Sequence, residues 1–392
     1  MQNKRISLSE PFFFNDDYKL LKKCIDSTWV STSGKNIDLF EKKICKFTGS
    51  RYAIATNSGT SSLHISLMLA GVKDNHEVIA PCLTFIATIN AIKYNLAEPI
   101  FMDVDDYCNI DENKTIDFIK KQTYYRNGNT YNKKTKKIIS AMIIVHVWGN
   151  AAKFSKLRIL CNKLNIKIIE DASESLGTFY KKKFFNGKHT GTNGLIGCIS
   201  FNGNKIITSG NGGMILTDSK KIAEKARYLI SQAKDDSFSF VHNNIGYNYK
   251  LSNINATLGL AQFKNIKIFI KKRVLIHSIY KEKVNKIRGL CILETPFYAN
   301  NNHWLTILRI NAKEYKMTLS QLQKIFLSQN IQVRPIWKLN HMQLMFKKNQ
   351  TYKIENAYKL IENCLCLPSS YNLNFGDQMK IINLMDKKNV LG

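Results

Sequence analysis

One lysine in this chain stands apart. Lys205 lies in the stretch SFNGNKIITSGNGG, residues 200–213, where every neighbour is uncharged and glycine recurs. A lysine in such a turn is ordinarily a solvated surface residue. Withdrawn from water it can surrender its charge, and a neutral amine is a nucleophile. Two other stretches carry chemistry of a compatible kind. In NSGTSS, residues 57–62, Gly59 permits a tight turn and Thr60 opens a helix whose free N–H groups could seat a phosphate. The plainer account of that stretch alone is a helix cap. In EDASESLG, residues 170–177, two acids close an apolar run, as a structural cap or as the partner of a ligand. A phosphate seat, an acid at a strand end and a lysine from a third loop are together what pyridoxal phosphate needs. Its phosphate must be anchored, its pyridine nitrogen kept protonated by an acid, and its aldehyde bonded to an amine.

Those three stretches need a scaffold, and the pattern between them supplies one. RYAIAT, EVIAP, EPIFMDVD, KIISAMIIVHVWG and IKIIEDA read as strands, with helical patterns between several of them. That alternation predicts an α/β fold with a mostly parallel sheet of seven strands and helices on both faces. GCISF and GGMILT read as the two strands flanking the Lys205 loop. In an open parallel sheet, ligands bind at the carboxyl ends of the strands. Residues 124–138 carry Asn127-Gly128, the favoured centre of a type I′ turn, and predict an exposed β-hairpin. A single long helix is expected from about Asn253 to Ile276. We expect an arm over residues 1–35, a large domain over 36–265 and a smaller α/β domain over 266–392.

The formal net charge is +29 at pH 7. Lysine far outnumbers arginine, and no zinc finger, aromatic RNA-binding motif or basic heptad helix accompanies it. A solvated lysine surface is favoured over a nucleic-acid groove; a non-catalytic basic regulatory or nucleic-acid-binding protein is the alternative of another class. No apolar run reaches the roughly 20 residues that span a bilayer, and the first residues carry no secretion signal. The nine cysteines show no metal-type pairing; Cys364 and Cys366 are poorly spaced for zinc. A cytoplasmic protein with reduced thiols, no metal, no membrane partner and no nucleic-acid partner is expected.

Over nearly its whole length the sequence resembles the DegT/DnrJ/EryC1/StrS family of sugar aminotransferases. The resemblance runs through WVSTSGK, NSGTSSLHISLMLAG, PCLTFIATINAI, VHVWGN, EDASESLG, SFNGNK, GGMILTD, GYNYKLSNINATLGLAQ and RPIWKLNH in that order. Within the family the wording is most similar to the LegC/PglE-type enzymes, which aminate UDP-4-keto-6-deoxy-N-acetylhexosamines. The resemblance implies the aspartate-aminotransferase type I fold, pyridoxal phosphate as cofactor, L-glutamate and a nucleotide-linked keto sugar as substrates, and a homodimer with shared active sites. It makes Lys205 the lysine that bonds the cofactor and Asp171 the partner of its pyridine nitrogen. Gly59, Thr60 and Ser200 would hold the phosphate, and Phe85 would face the ring. Asn248 would reach the phosphate of the neighbouring subunit's cofactor.

Glu174 occupies the place where many relatives have His or Gln near the cofactor's phenolic oxygen. A carboxylate there would repel the phenolate, so either a proton is shared or Glu174 turns away. Trp29, Ser31, His341 and Arg334 are candidate substrate contacts, and Lys250 could meet a diphosphate or carboxylate. His146, alone on a strand, is more simply a core residue. Leu195 and Asn211 stand where relatives often carry acids. A related 3-dehydratase branch has histidine in place of Lys205; the lysine argues against that chemistry. A GDP-perosamine synthase is the nearest alternative enzyme.

Overall fold

The computed structural model describes residues 5–236 and 238–386. Its centre is a sheet built from β1 (Tyr52–Thr56), β2 (Glu77–Pro81), β3 (Glu98–Met102), β4 (Ile139–Val145), β5 (Lys167–Asp171), β6 (Ile196–Ser200), β7 (Gly213–Thr217) and β8 (Thr351–Tyr352). The spatial order is β1-β7-β6-β5-β4-β2-β3-β8. β7 runs antiparallel to both of its neighbours, and the other pairings are parallel. The expected seven strands are present. The eighth is a two-residue edge strand from far along the chain, too short to show in a hydrophobic pattern.

β2, β4, β6 and β7 are buried along their whole length. Helices cover both faces, so neither can be polar; this is why these strands read as continuous apolar runs rather than alternating ones. The hairpin pairs Thr123–Arg126 with Asn129–Asn132. Its central Asn127 and Gly128 have φ of 49° and 78°, as a type I′ turn demands.

The expected long helix is broken. Asn253–Lys264 and Ile266–Val284 are separate helices. Asn265 ends the first, its N–H donating to Gln262 O at 3.0 Å, and opens the second, its carbonyl accepting from Ile268 and Phe269 N–H. Asparagine competes with helix hydrogen bonding and favours such boundaries. Beyond this break a four-stranded antiparallel sheet joins Leu290–Ile292, Thr306–Ile310, Cys364–Leu367 and Arg334–Pro335. It has a hydrophobic core of its own around Tyr280, Leu308, Phe326 and Ile381. The first described residues lie along this part, with Ile6 bridging Ile331.

Candidate active site

The parallel strands deliver their carboxyl ends to one edge, and a cavity of about 280 Å³ opens there. After β1 the chain turns into the helix Gly59–Leu69. Ser58 caps it, its Oγ accepting from Ser61 N–H at 3.0 Å. The capping account is therefore correct for Ser58, but it leaves the N–H groups of Gly59 and Thr60 unpaired within the described residues. Both residues line the cavity. A Cβ on Gly59 would come within 2.9 Å of Ser200 Cβ, so glycine is what keeps this cradle open.

β5 resolves the two adjacent acids. Neighbours on a strand face opposite ways. Asp171 faces the cavity. Its Oδ2 accepts from Thr88 Oγ1 at 2.7 Å, and its Oδ1 from Ser173 N–H at 3.1 Å. Glu170 points away and is fully buried. It accepts from His146 Nε2 at 3.0 Å and from the N–H groups of Gly191, Asn193 and Gly194. His146 Nδ1 in turn accepts from Ala152 N–H at 3.0 Å. With both ring nitrogens engaged inside the core, His146 is a satisfied structural residue.

Lys205 comes from the loop between β6 and β7. A turn from its own N–H to Asn202 O, and bonds from Ser209 N–H to Phe201 O and Phe201 N–H to Gly212 O, shape that loop. Its side chain is only 12% exposed, and Nζ lies 3.2 Å from Glu174 Oε1. Nζ also lies 4.0 Å from the centre of the Trp304 ring. Trp304 Nε1 donates to Asn204 O at 2.6 Å, which ties the lysine loop to the C-terminal sheet. Glu174 is buried, and burial pushes its carboxyl above the ordinary range while the Lys205 charge pulls it back.

A sequence model described as the DegT/DnrJ/EryC1/StrS aminotransferase family matches residues 14–386. The chain belongs to that family. A Bacillus subtilis (strain 168) protein named as a pyridoxal phosphate-dependent aminotransferase, EpsN, is 32% identical over 388 residues, 98% of this chain and 95% of that protein. The GDP-perosamine synthase of Escherichia coli O157:H7 is 31% identical over 88% of each chain. A UDP-4-amino-4,6-dideoxy-N-acetyl-beta-L-altrosamine transaminase of Campylobacter jejuni strain 81-176 is 31% identical over 89% of this chain and 88% of that one. Among solved structures, Helicobacter pylori PseC, an aminotransferase involved in pseudoaminic acid biosynthesis, superimposes with a TM-score of 0.87 at 23% identity, covering 99% of this chain and 100% of the other. The α/β architecture is that of the pyridoxal-phosphate aminotransferases.

Against this family background the sequence-derived site residues divide cleanly. Gly59, Thr60, Phe85, Asp171, Glu174, Ser200 and Lys205 line one cavity. Asn248 does not. It is exposed on its own chain, where its carbonyl accepts from Asn57 Nδ2 at 3.3 Å. Trp29, Ser31, His341 and Arg334 also lie outside the cavity of the single chain. The Trp29 and Ser31 carbonyls take hydrogen bonds from Asn253, and the Trp29 ring is exposed. His341 is turned toward the Tyr358 hydroxyl at 2.8 Å. Arg334 is exposed on the edge strand that pairs with Cys364–Leu367. Lys250 lines a separate surface depression with Arg227 and Glu41.

Thr88, Asn202, Asn211, Trp304 and Trp337 line the cavity without having been read as site residues. Asn211 is thus a departure inside the site. For Trp304 no local sequence signal exists, because folding alone brings it there; Trp337 lies inside the motif RPIWKLNH but was not singled out. Thr88, inside an apolar helix two residues beyond the Phe85-Ile86 turn, is detectable only as a polar residue on an otherwise buried face.

Among the described residues no helix is long and apolar enough to cross a membrane. No cluster of His, Cys, Asp and Glu among them could hold a metal.

Proposed function

We propose that the chain transfers an amino group from L-glutamate to C4 of a nucleotide-linked 4-keto-6-deoxy sugar, with a UDP-linked N-acetylhexosamine as acceptor. It would do so in the cytoplasm, where its nine free thiols stay reduced, and supply an amino sugar for a surface glycan. One observation carries the aminotransferase reading: a buried carboxylate, a nearly buried lysine and an open helix N-terminus converge on one cavity. The donor set suits pyridoxal phosphate. The Gly59 and Thr60 N–H groups with the Thr60 and Ser200 hydroxyls offer a phosphate seat. Asp171, held by Thr88 and Ser173, offers a fixed anion for a pyridinium nitrogen. Phe85 and Trp337, with ring centres 5.9 Å apart, offer aromatic surface at the mouth.

When bound, this cofactor supplies a protonated ring that takes up the electron pair left on the donor's α-carbon. The chain's residues do the rest. Lys205 supplies the amine that bonds the aldehyde and, once released, carries the proton taken from the α-carbon. Asp171 keeps the ring nitrogen protonated. One cavity serves glutamate first and the keto sugar second, so ping-pong kinetics are expected. Asn248, exposed on its own chain, is proposed to complete the phosphate seat of a second copy in a homodimer.

The test is incubation with glutamate and UDP-4-keto-6-deoxy-N-acetylglucosamine, followed by NMR of the sugar. An amino group at C4 is expected. The GDP-perosamine synthase relative favours a second reading, in which GDP-4-keto-6-deoxymannose is the acceptor. Run in parallel, the preferred sugar should show kcat/KM at least about tenfold above the other. Amination of neither would defeat both readings.

Gly59→Ala tests the phosphate seat. The new methyl would meet Ser200 and Ser173 at 2.9–3.2 Å, narrowing the space above the helix N-terminus. The Kd for pyridoxal phosphate, read by absorbance titration, should rise about tenfold or more, equivalent to about 1.4 kcal/mol. An unchanged Kd would mean the phosphate sits elsewhere.

A further inference from the structure

We propose that Glu174 is the proton partner of Lys205, accepting the amine's proton so that Lys205 can act as a base and then giving it back. This rests on the pyridoxal-phosphate reading above and adds a second proton-holding group to it.

Glu174 does not turn away from the cavity. Glu174 faces Lys205, with Oε1 3.2 Å from Nζ, and the two side chains are 6% and 12% exposed. The carboxylate is held from behind. Its Oε2 accepts from Trp148 N–H at 2.8 Å. Asn302 Nδ2 grips the Glu174 carbonyl at 2.9 Å and the Leu176 carbonyl at 3.0 Å. One oxygen is therefore committed to backbone, and the other is presented to the amine.

No other group around Lys205 suits the task as well. The Trp304 ring at 4.0 Å can stabilise a positive charge but cannot accept a proton. Asp171 has one oxygen on the Thr88 hydroxyl and the other on Ser173 N–H. The titratable groups facing Glu174 are few. Lys205 favours its anion, and Asp171 on β5 disfavours it. The buried Cys366 thiol, on the strand Cys364–Leu367, feels the Glu174 charge only as a minor influence beside its own burial. Burial raises the Glu174 carboxyl, which brings its proton affinity toward that of an amine in the same dry pocket.

The step balances. An N–H bond of Lys205 breaks and an O–H bond forms on Oε1, and the electron pair stays on Nζ. That nitrogen then takes a proton from the substrate carbon and delivers it to the accepting carbon. Glu174 afterwards returns its own proton, so the cycle gains and loses none. In this arrangement Glu174 acts through Lys205, as a positioning and proton-holding residue.

The experiment is a pH titration of the visible absorbance of the protein loaded with pyridoxal phosphate, comparing wild type, Glu174→Gln and Glu174→Asp. Gln preserves the shape and can still accept from Trp148 N–H, but it holds no charge and takes no proton. The midpoint in Glu174→Gln should fall by about one pH unit or more, because an opposite charge at this distance is lost. Its kcat should fall about 10- to 100-fold with KM for glutamate little changed. Glu174→Asp, which keeps the charge, should hold its midpoint near wild type. Equal midpoints in wild type and Glu174→Gln would overturn the proposal while leaving the cofactor assignment standing. So would a raised KM at unchanged kcat. A wild-type protein that shows no visible band would overturn the cofactor reading, and this proposal with it.

Discussion

Lys205→Ala is expected to lower amino transfer from glutamate to the keto sugar by roughly four orders of magnitude, as loss of a covalent nucleophile does elsewhere. Lys205→Arg should fare no better, because a guanidinium keeps its charge and cannot form the bond. The fold should survive. The Lys205 amine meets Glu174 and the Trp304 ring at the wall of an existing cavity, so its loss enlarges that cavity rather than opening a new void in the core. Removing it strands the Glu174 carboxylate, but that group is already displaced toward its neutral form by burial and can take a proton instead. The thermal midpoint should therefore move little while activity disappears. Two measurements check this: conversion of glutamate to 2-oxoglutarate in the presence of the sugar, and the visible band of the protein mixed with pyridoxal phosphate, whose borohydride-sensitive component should be absent from the variant. Normal turnover by either variant would remove Lys205 from its assigned role.

Much of this centre was legible in the chain. The strand–helix alternation placed the ends of β1, β5 and β6 at one edge, and the motifs at those ends named Gly59, Asp171 and Lys205. Asn127-Gly128 announced its hairpin because a type I′ turn requires positive φ at both central residues. What stayed hidden depends on packing between distant segments. Trp304 lies about a hundred residues beyond Lys205, and nothing local to either indicates that an indole closes over the amine. The break at Asn265 is a single-residue event within an otherwise helical pattern. In a single chain His341 is turned toward the Tyr358 hydroxyl, Trp29 and Arg334 are exposed, and none of Trp29, Ser31, His341 and Arg334 lines the cavity.

The pair Glu170-Asp171 shows the limit most clearly. Two acids in sequence could each be structural or chemical. Only the register of β5, which puts alternate side chains on opposite faces, assigns Asp171 to the cavity and Glu170 to the core. The same strand end thus carries one carboxylate that lines the cavity and one buried in the core, and the second has a measurable consequence of its own.

Glu170→Ala is expected to destabilise the protein by about 3–5 kcal/mol, since each donor left buried without its acceptor costs about 1–3 kcal/mol and the loop can relax to recover part of that. That is a large share of the roughly 5–15 kcal/mol that holds a typical protein folded. Four donors converge on this carboxylate: His146 Nε2 and the N–H groups of Gly191, Asn193 and Gly194. Ala152 N–H occupies His146 Nδ1, which leaves Nε2 as the ring nitrogen that donates to Glu170. Alanine would leave all four donors buried without an acceptor. A Cβ on Gly191 of this loop would meet Ala172, the residue after Asp171, at 3.0 Å, so activity should fall with stability. Burial pushes the Glu170 carboxyl upward, but the His146 contact and the backbone donors outweigh it and hold the group below the ordinary carboxylate range. A depressed carboxyl stabilises the fold above its unfolded-state pKa of about 4.3, and that contribution fades as pH falls through the lower folded-state value. Urea unfolding of wild type and variant should give a constant stability difference from about pH 8 down to pH 5, and a narrowing one below about pH 4.3. A gap that stays constant well below that point, or is absent at pH 7, would show that Glu170 does not hold this loop as an anion.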